Sequence, residues 1–359
     1  MRILTVIGNR PQFVKAAGVS RLLRKRHEDV LVHTGQHYDD ELSQVFFEEL
    51  GVPAPDRHLQ AGGGTNTEQT ARILGVLEEV IAQTAPDLVL VYGDTNSTLA
   101  GALAGAQAGV PVGHVEAGMR SFDRTMPEEL NRVLVDHASA LLLCSTETAV
   151  ANLRRESVVG EAHLVGDVMA DVSLAFRPIA EQRSTVVSDL GLEREGYVLA
   201  TAHRAGNVDH PERLERLVEL LESVPGTTVL PLHPRTAARL DGAGLRDRLQ
   251  HAPRLRLTPP LGYLDFLALE AHARAILTDS GGVQKEAYLL GVPCVTLREN
   301  TEWTETVEAG WNTLVGLDRD AALRALERPI PGGERPELYG GGHAAERVCA
   351  AIDAYTPRG

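Results

Sequence analysis

Leu277-Thr278-Asp279-Ser280-Gly281-Gly282-Val283-Gln284-Lys285-Glu286 is the stretch that decides the fold. A short apolar strand, Ala275–Thr278, breaks at Ser-Gly-Gly, and a helical stretch begins at once. The uncovered N–H groups of the first helical turn, and the positive end of the helix dipole, then face whatever lies beyond the strand. The same strand-to-helix rhythm runs outward in both directions. Towards the N-terminus, Arg2–Ile7, Val30–Thr34, Asp87–Tyr92, Val110–Val115 and Ala140–Cys144 read as strands. Gln12–Arg26, Asp39–Leu50, Thr67–Gln83, Ser97–Gln107 and Glu128–His137 read as helices between them. In the second half Tyr197–Thr201, Thr227–Leu232, Arg254–Leu257, Val292–Leu297 and Thr313–Val315 join Ala275–Thr278 as strands. The alternation predicts an α/β fold of parallel sheets with helices on both faces.

A weakly patterned stretch from Val165-Gly166-Asp167 through Arg177-Pro178 to about Gly196 separates the two runs. We therefore expect two Rossmann-like, doubly wound domains, 1–170 and 171–342, facing a cleft that holds one ligand site. A final helix, His343–Tyr355, follows Gly-rich loops at Gly332-Gly333 and Gly340-Gly341-Gly342.

Composition narrows the function. The 359 residues carry 35 Lys+Arg against 49 Asp+Glu, a net charge of −14, which argues against a nucleic-acid partner. No run of about 18 apolar residues occurs, so no membrane span is expected. The opening Met1-Arg-Ile-Leu-Thr-Val-Ile-Gly8 is too short for a signal peptide, and a cytoplasmic protein is expected. Cys144, Cys294 and Cys349 stand far apart, which suits neither a disulfide framework nor a structural metal site. Lysine is scarce: of the 35 basic residues only Lys15, Lys25 and Lys285 are lysine.

The chemistry gathers at the strand ends. The first strand runs into Gly8-Asn9-Arg10-Pro11-Gln12-Phe13-Val14-Lys15, which lacks the GxGxxG dinucleotide fingerprint but brings two cations to a helix entrance. Asp94 follows the next strand's Tyr92-Gly93, a position that also suits a helix cap. Glu116 lies in His114-Val115-Glu116-Ala117-Gly118, and Glu128 in Pro127-Glu128-Glu129 at a helix start. Carboxylates converging in this way would raise one another's pKa and suit proton transfer. In the second half Ala202-His203-Arg204 and Leu232-His233-Pro234-Arg235 deliver His and Arg straight after strands, where a diphosphate would lie. Glu286, about a turn and a half beyond Ser280-Gly281-Gly282, is placed to accept from two ribose hydroxyls. The constellation asks for a nucleotide diphosphate.

Gly-x-Arg-Pro-x-x-x-Lys at 8–15, Gly-Asp-Thr at 93–95, His-Val-Glu-Ala-Gly-x-Arg at 114–120, Pro-Glu-Glu-x-Asn-Arg at 127–132, His-Arg at 203–204 and Thr-Asp-Ser-Gly-Gly-x-Gln-x-Glu at 278–286 stand in one order. With them the chain resembles the non-hydrolysing UDP-N-acetylglucosamine 2-epimerases from end to end. The resemblance implies the two-domain fold of glycosyltransferase class B, with the last helix, within 343–359, packing back on the first domain. It implies a homodimer that interconverts UDP-GlcNAc and UDP-ManNAc without metal or redox cofactor, through anti-elimination of UDP, 2-acetamidoglucal and re-addition. Asp94, Glu116, Glu128 and His203 match the catalytic set, and which carboxylate is base and which acid stays open. Arg10, Lys15, His203, Phe266, Ser280, Gly281, Gly282 and Glu286 match UDP ligands, and Gln36 and His233 match a regulatory UDP-GlcNAc site. Two departures stand out: Thr301-Glu302-Trp303 where many bacterial members have Thr-Glu-Arg, and Gln36-His37-Tyr38 where many have Gln-His-Arg. The competing expectations are a hydrolysing 2-epimerase, releasing UDP and ManNAc, and a glycosyltransferase using a UDP-sugar; the second has no use for so many carboxylates.

Overall fold

Leu88–Tyr92, Leu141–Cys144 and Tyr197–Thr201 are buried at every residue, as strands covered by helices on both faces must be. They are central members of two parallel sheets. The structure, a computed structural model, describes residues 1–36, 54–332 and 334–356. Among these residues the first sheet comprises β1 (Arg2–Ile7), β2 (Glu28–His33), β3 (Arg57–His58), β4 (Leu88–Tyr92), β5 (Val112–Ala117), β6 (Leu141–Cys144) and β7 (Glu161–Leu164). Its order is β3-β2-β1-β4-β5-β6-β7. The second comprises β8 (Tyr197–Thr201), β9 (Thr227–Pro231), β10 (Leu255–Thr258), β11 (Ala275–Thr278), β12 (Cys294–Thr296) and β13 (Asn312–Leu314), ordered β10-β9-β8-β11-β12-β13. The doubly wound α/β class expected from the alternation is the class observed. In each sheet the order reverses between neighbouring central strands, β1 and β4 in one, β8 and β11 in the other. Ligand crevices open beyond the carboxyl ends of strands at such a switch point.

The chain divides into two compact units, Met1–Val172 with Glu337–Gly359, and Ser173–Pro336. Each has its own apolar core. In the first, Leu4, Val6, Val89 and Val91 pack with Ile73, Leu77 and Ala100; in the second, Val198, Leu230 and Leu277 pack with Leu217, Leu221 and Leu240. The Ala344–Ala354 helix belongs to the first unit. Asp171 accepts from the Ala344 and Ala345 N–H groups at its start, at 3.0 and 2.7 Å, and Asp353 near its end meets His27 at 2.7 Å.

Three features differ from the pattern expected of the sequence. The stretch after Asp167 is a regular helix, Val168–Arg183, whose Val168, Ala170, Val172 and Ala180 are buried although Pro178 lies inside it. Proline in a helix interior disguises such a segment as a breaker. β7 reads Glu-Ala-His-Leu and alternates between half-buried and exposed, so it lacks the apolar run that marks an inner strand. Third, β3 is only two residues long. The helix expected over Asp39–Leu50, like His37 and Tyr38, lies outside the described residues. All three cysteines are free thiols. Among the described residues no helix is long and apolar enough to cross a membrane.

Candidate functional site

In the first unit the β1 and β4 ends are locked together before any functional side chain is placed. A Cβ on Gly8 would stand 1.8 Å from Ser97 Oγ, so only glycine lets β1 turn there. The Gln12 amide bridges the gap: its oxygen accepts from Gly8 N–H at 2.7 Å, and its nitrogen donates to Tyr92 O at 2.5 Å and Thr98 Oγ1 at 2.7 Å. Asn9 caps the Arg10–Leu23 helix by accepting from Gln12 N–H at 3.1 Å. Thr95, rather than Asp94, caps the Asn96–Gln107 helix, which leaves the Asp94 carboxylate to other partners.

Those partners are cations. Arg132, on the Pro127–Ala138 helix, donates to Asp94 Oδ2 through Nη2 at 2.6 Å and Nε at 3.0 Å. Asn131 donates to the Asp94 carbonyl at 2.9 Å. Glu129 receives Arg132 Nη1 at 3.0 Å and also holds the preceding loop, accepting from Ser121 and Phe122 N–H groups at 2.8 and 2.9 Å. Glu128 sits half-buried on the first turn of the same helix.

Glu116 is aimed by a backbone irregularity. The β5–β6 register slips between Val115 and Ala117, and Glu116 occupies the left-handed region at φ 73°. A non-glycine residue held there costs of order 1–3 kcal/mol and is tolerated where the surroundings dictate it. The Glu116 carboxylate bonds the Lys15 ammonium. Burial disfavours that ammonium, but Glu116, Asp167 and Asp94 more than offset it and hold its pKa above the ordinary lysine value. The expected repulsion between converging carboxylates is thus relieved by Lys15 and Arg132.

Behind both turns lies a buried polar strut. His114 on β5 places Nε2 2.7 Å from the Gly93 carbonyl and Nδ1 2.7 Å from Asp136 Oδ1. Asp136 Oδ2 accepts from Arg120 Nη1 at 2.8 Å and Gly118 N–H at 3.1 Å. Burial would raise the Asp136 pKa, but His114 and Arg120 together pull it below the usual value. Gly93 precedes Asp94 and Gly118 follows Glu116, so one strut fixes the turns that carry both carboxylates.

In the second unit, Asp279 does the equivalent work beyond β11. Its carboxylate accepts from His203 and Arg204 N–H groups and from Asn207 Nδ2, at 3.0 to 3.1 Å. His203 stacks on His233, ring centroids 4.9 Å apart. Burial, with Arg204 and Arg235, lowers the His203 pKa against the pull of Asp279; burial, His203 and Arg235 lower that of His233. The Gly281–Leu290 helix starts at Ser280 with no side-chain cap, so its first N–H groups are open. Around Gly281 converge Trp303 Nε1, Glu302 Oε2 and Arg204 Nη2, at 3.4, 3.7 and 3.8 Å from where a Cβ would stand. Glu286 is buried, approached by Ser173 Oγ and Tyr263 OH at 3.4 Å each. Behind it lies Glu270, whose carboxyl burial and the Glu286 charge push well above the usual range. Phe266 is half-buried on the Tyr263–His272 helix.

The first unit therefore brings Lys15, Asp94 and Glu116 together, with Glu128 on the helix that supplies Arg132. The second brings together His203, His233, Ser280, Gly281 and Gly282. Gln36 belongs to the first unit, where its Oε1 accepts from Ser97 N–H and Oγ at 3.0 and 2.7 Å; His233 belongs to the second. Arg10 opens its helix, but its side chain lies outside the described residues. Sequence reasoning quoted His114, Glu129 and Arg132 within motifs without giving them a role, and it missed Asp136 and Asp167 as part of this arrangement.

Comparison with known proteins gives this geometry its setting. The family model described as UDP-N-acetylglucosamine 2-epimerase matches residues 21–353. A Methanococcus maripaludis protein called a UDP-N-acetylglucosamine 2-epimerase homolog is 46% identical, over 98% of this chain and 99% of its own. The UDP-2,3-diacetamido-2,3-dideoxy-D-glucuronate 2-epimerase of Pseudomonas aeruginosa is also 46% identical, over 97% of this chain and 98% of its own. Among solved structures, Methanocaldococcus jannaschii UDP-GlcNAc 2-epimerase in complex with UDP-GlcNAc and UDP is 41% identical and superposes with a TM-score of 0.91, covering 98% of this chain and 99% of that one. The relative and the solved structure each cover 98% of this chain, and the chain belongs to the UDP-N-acetylglucosamine 2-epimerase family.

Proposed function

We propose that the protein reversibly inverts C2 of UDP-GlcNAc to give UDP-ManNAc, and that it does so without hydrolysis. The C2 hydrogen has no adjacent carbonyl to acidify it. Elimination solves the problem: a base takes the C2 proton as the C1–O bond breaks, UDP leaves with the bonding electrons, and 2-acetamidoglucal remains. UDP oxygen then returns to C1 while a proton is delivered to the opposite face of C2. Such a cycle needs proton carriers for the sugar and donors for the departing diphosphate. The observation that carries this reading is the supply of both in a member of this family: Asp94, Glu116 and Glu128 in the first unit, and the uncapped Ser280-Gly281-Gly282 turn with His203 in the second. Arg10 and Lys15 serve UDP in this reading, Phe266 packs near uracil, Glu286 takes the ribose hydroxyls, and Gln36 and His233 serve a regulatory UDP-GlcNAc site. The enzyme works as a cytoplasmic homodimer; light scattering coupled to gel filtration tests the dimer.

Incubation with UDP-GlcNAc in D2O, followed by NMR, tests the mechanism. The expected result is a mixture of both UDP-sugars with deuterium at C2 of UDP-ManNAc. Free ManNAc with UDP would mean hydrolysis, and protium retained at C2 after full epimerisation would exclude exchange with solvent. The Pseudomonas relative, a UDP-2,3-diacetamido-2,3-dideoxy-D-glucuronate 2-epimerase, supports a second reading, a diacetamido-glucuronate substrate. Comparison of kcat/KM for the two UDP-sugars decides between them.

A further inference from the structure

Phe122 is 67% exposed, and among the described phenylalanines it alone is exposed. Its backbone stands at φ 58°, in the left-handed region, where a bulky residue is strained. An exposed ring on a strained backbone is unfavourable twice over, and glycine would remove both costs. The chain nevertheless fixes the ring there. Ser121 is buried, and its N–H and Oγ donate to Glu129 Oε2 at 2.8 and 2.9 Å. Phe122 N–H donates to Oε1 of the same carboxylate at 2.9 Å, and Glu129 is itself 3% exposed. Beyond the ring, Asp123 Oδ1 accepts from Thr125 N–H and Oγ1 at 3.0 and 2.6 Å. The place matters as much as the strain. Phe122 lies midway in sequence between Glu116, also at positive φ at the end of β5, and Glu128 on the first turn of the next helix. Glu129 also receives Arg132 Nη1 at 3.0 Å, and Arg132 Nη2 reaches Asp94 at 2.6 Å. One buried carboxylate therefore sets both the Phe122 turn and the cation on Asp94.

We propose that Phe122 is a sugar-contact residue: its ring covers the hexose held over Asp94, Glu116 and Glu128 and keeps the reacting sugar out of water. This rests on the UDP-sugar reading above. The C–H face of a hexose is apolar enough to pack on an aromatic ring, which covers the apolar surface that the free protein exposes. Elimination leaves 2-acetamidoglucal, a neutral molecule that no longer has the diphosphate to hold it. A ring fixed over it keeps it in place until UDP oxygen returns to C1. The strain at Phe122 then serves to place a ring, as the strain at Glu116 serves to place a carboxylate.

Phe122→Gly removes the ring and suits the left-handed backbone, so the variant should fold. It should bind UDP with the wild-type Kd by calorimetry, since UDP carries no sugar. Its kcat/KM for UDP-GlcNAc should fall about tenfold or more. Followed by NMR, 2-acetamidoglucal with UDP should make up a larger share of its products than of wild type's. Phe122→Tyr, which keeps a ring, should hold wild-type values of both readouts. A folded Phe122→Gly protein with wild-type kcat/KM and no extra 2-acetamidoglucal overturns the proposal, and so does one whose UDP affinity falls as far as its kcat/KM. Should Phe122→Gly not fold, Phe122→Asn carries the same test, because asparagine also tolerates positive φ. Leu130 and Leu134 are exposed on the next helix, so mass by light scattering is read as well. Wild-type kinetics with an altered mass would make Phe122 an interface residue and overturn the proposal. Wild type that turns over neither UDP-GlcNAc nor the diacetamido-glucuronate sugar would refute the UDP-sugar reading itself, and the proposal with it.

Discussion

Asp136→Ala probes the strut that fixes both carboxylate turns. Oδ1 serves His114 at 2.7 Å, and Oδ2 serves Arg120 at 2.8 Å and Gly118 N–H at 3.1 Å, all without solvent. Truncation leaves three donors facing a void. Breaking a buried ion pair costs about 3–5 kcal/mol, and the low end applies here because Arg120 keeps a two-pronged contact with Glu156 at 2.8 and 2.7 Å. Asp136→Asn behaves differently. With its carbonyl oxygen at the Oδ2 position it still accepts from Arg120 and Gly118. Its amide then donates to Nδ1 of His114, while Nε2–H continues to donate to Gly93. Every polar atom finds a partner, so the cost falls to about 1–2 kcal/mol. At about 2–4 °C per kcal/mol for a unit of this size, alanine should lower the first unit's Tm by about 6–12 °C and asparagine by about 2–8 °C.

Scanning calorimetry at pH 7, paired with turnover assays, reads both variants. Asp136→Ala should also lose activity beyond its loss of fold, because the turns at Gly93 and Gly118 are released. The native Asp136 pKa lies below its unfolded value, so its stabilisation is fully present above about pH 4 and is lost only as pH falls through the native value. Equal melting temperatures for the alanine and asparagine variants would refute the reasoning.

Three further outcomes are expected. Burial, with His58 nearby, pushes the His33 pKa down to about 4, and its Nδ1 accepts from Gly35 N–H at 3.0 Å. The native value lies below the unfolded 6.5, so this contribution is complete above pH 6.5 and is lost as pH falls towards 4, by at most about 3 kcal/mol; if denaturant titration gives His33→Gln the same acid-side slope as wild type, the assignment fails. Both stacked imidazoles, His203 and His233, have lowered pKa values, and an arriving diphosphate favours their charged forms. UDP binding should therefore take up protons near neutrality, and calorimetry in two buffers of different ionisation enthalpy would show otherwise if the heats agree. Gly281→Val puts its Cβ 3.4 Å from Trp303 Nε1, an ordinary contact, so the variant should fold while UDP affinity falls by more than tenfold; unchanged affinity in a folded variant removes the turn from the UDP site.

The inner strands were legible because double burial leaves only one kind of residue: Leu-Val-Leu-Val-Tyr at 88–92 and Leu-Leu-Leu-Cys at 141–144 admit no other reading. β7 was not, since an edge strand needs no such run, and the Val168–Arg183 helix hid behind Pro178. The addresses of the candidate carboxylates were legible for a related reason. In a doubly wound sheet ligands lie at the carboxyl ends of strands, so Asp94, just beyond β4, and Glu116, at the end of β5, could be singled out from strand ends alone. What holds them there was not legible. Lys15 meets Glu116 across 101 positions of sequence, Arg132 meets Asp94 across 38, and His114 meets Asp136 across 22. Reading the acids without these partners suggested carboxylates that repel one another; the tertiary pairs turn the same residues into ions with assigned neighbours. Glu116 shows the limit most sharply. No rule of composition or period predicts a glutamate at φ 73°, and only the slipped β5–β6 register, with Gly118 held by Asp136, explains why that strain persists. The strain is local, the force that maintains it comes from residue 136, and a reaction that depends on where Glu116 points therefore depends on a buried carboxylate that need never touch the substrate.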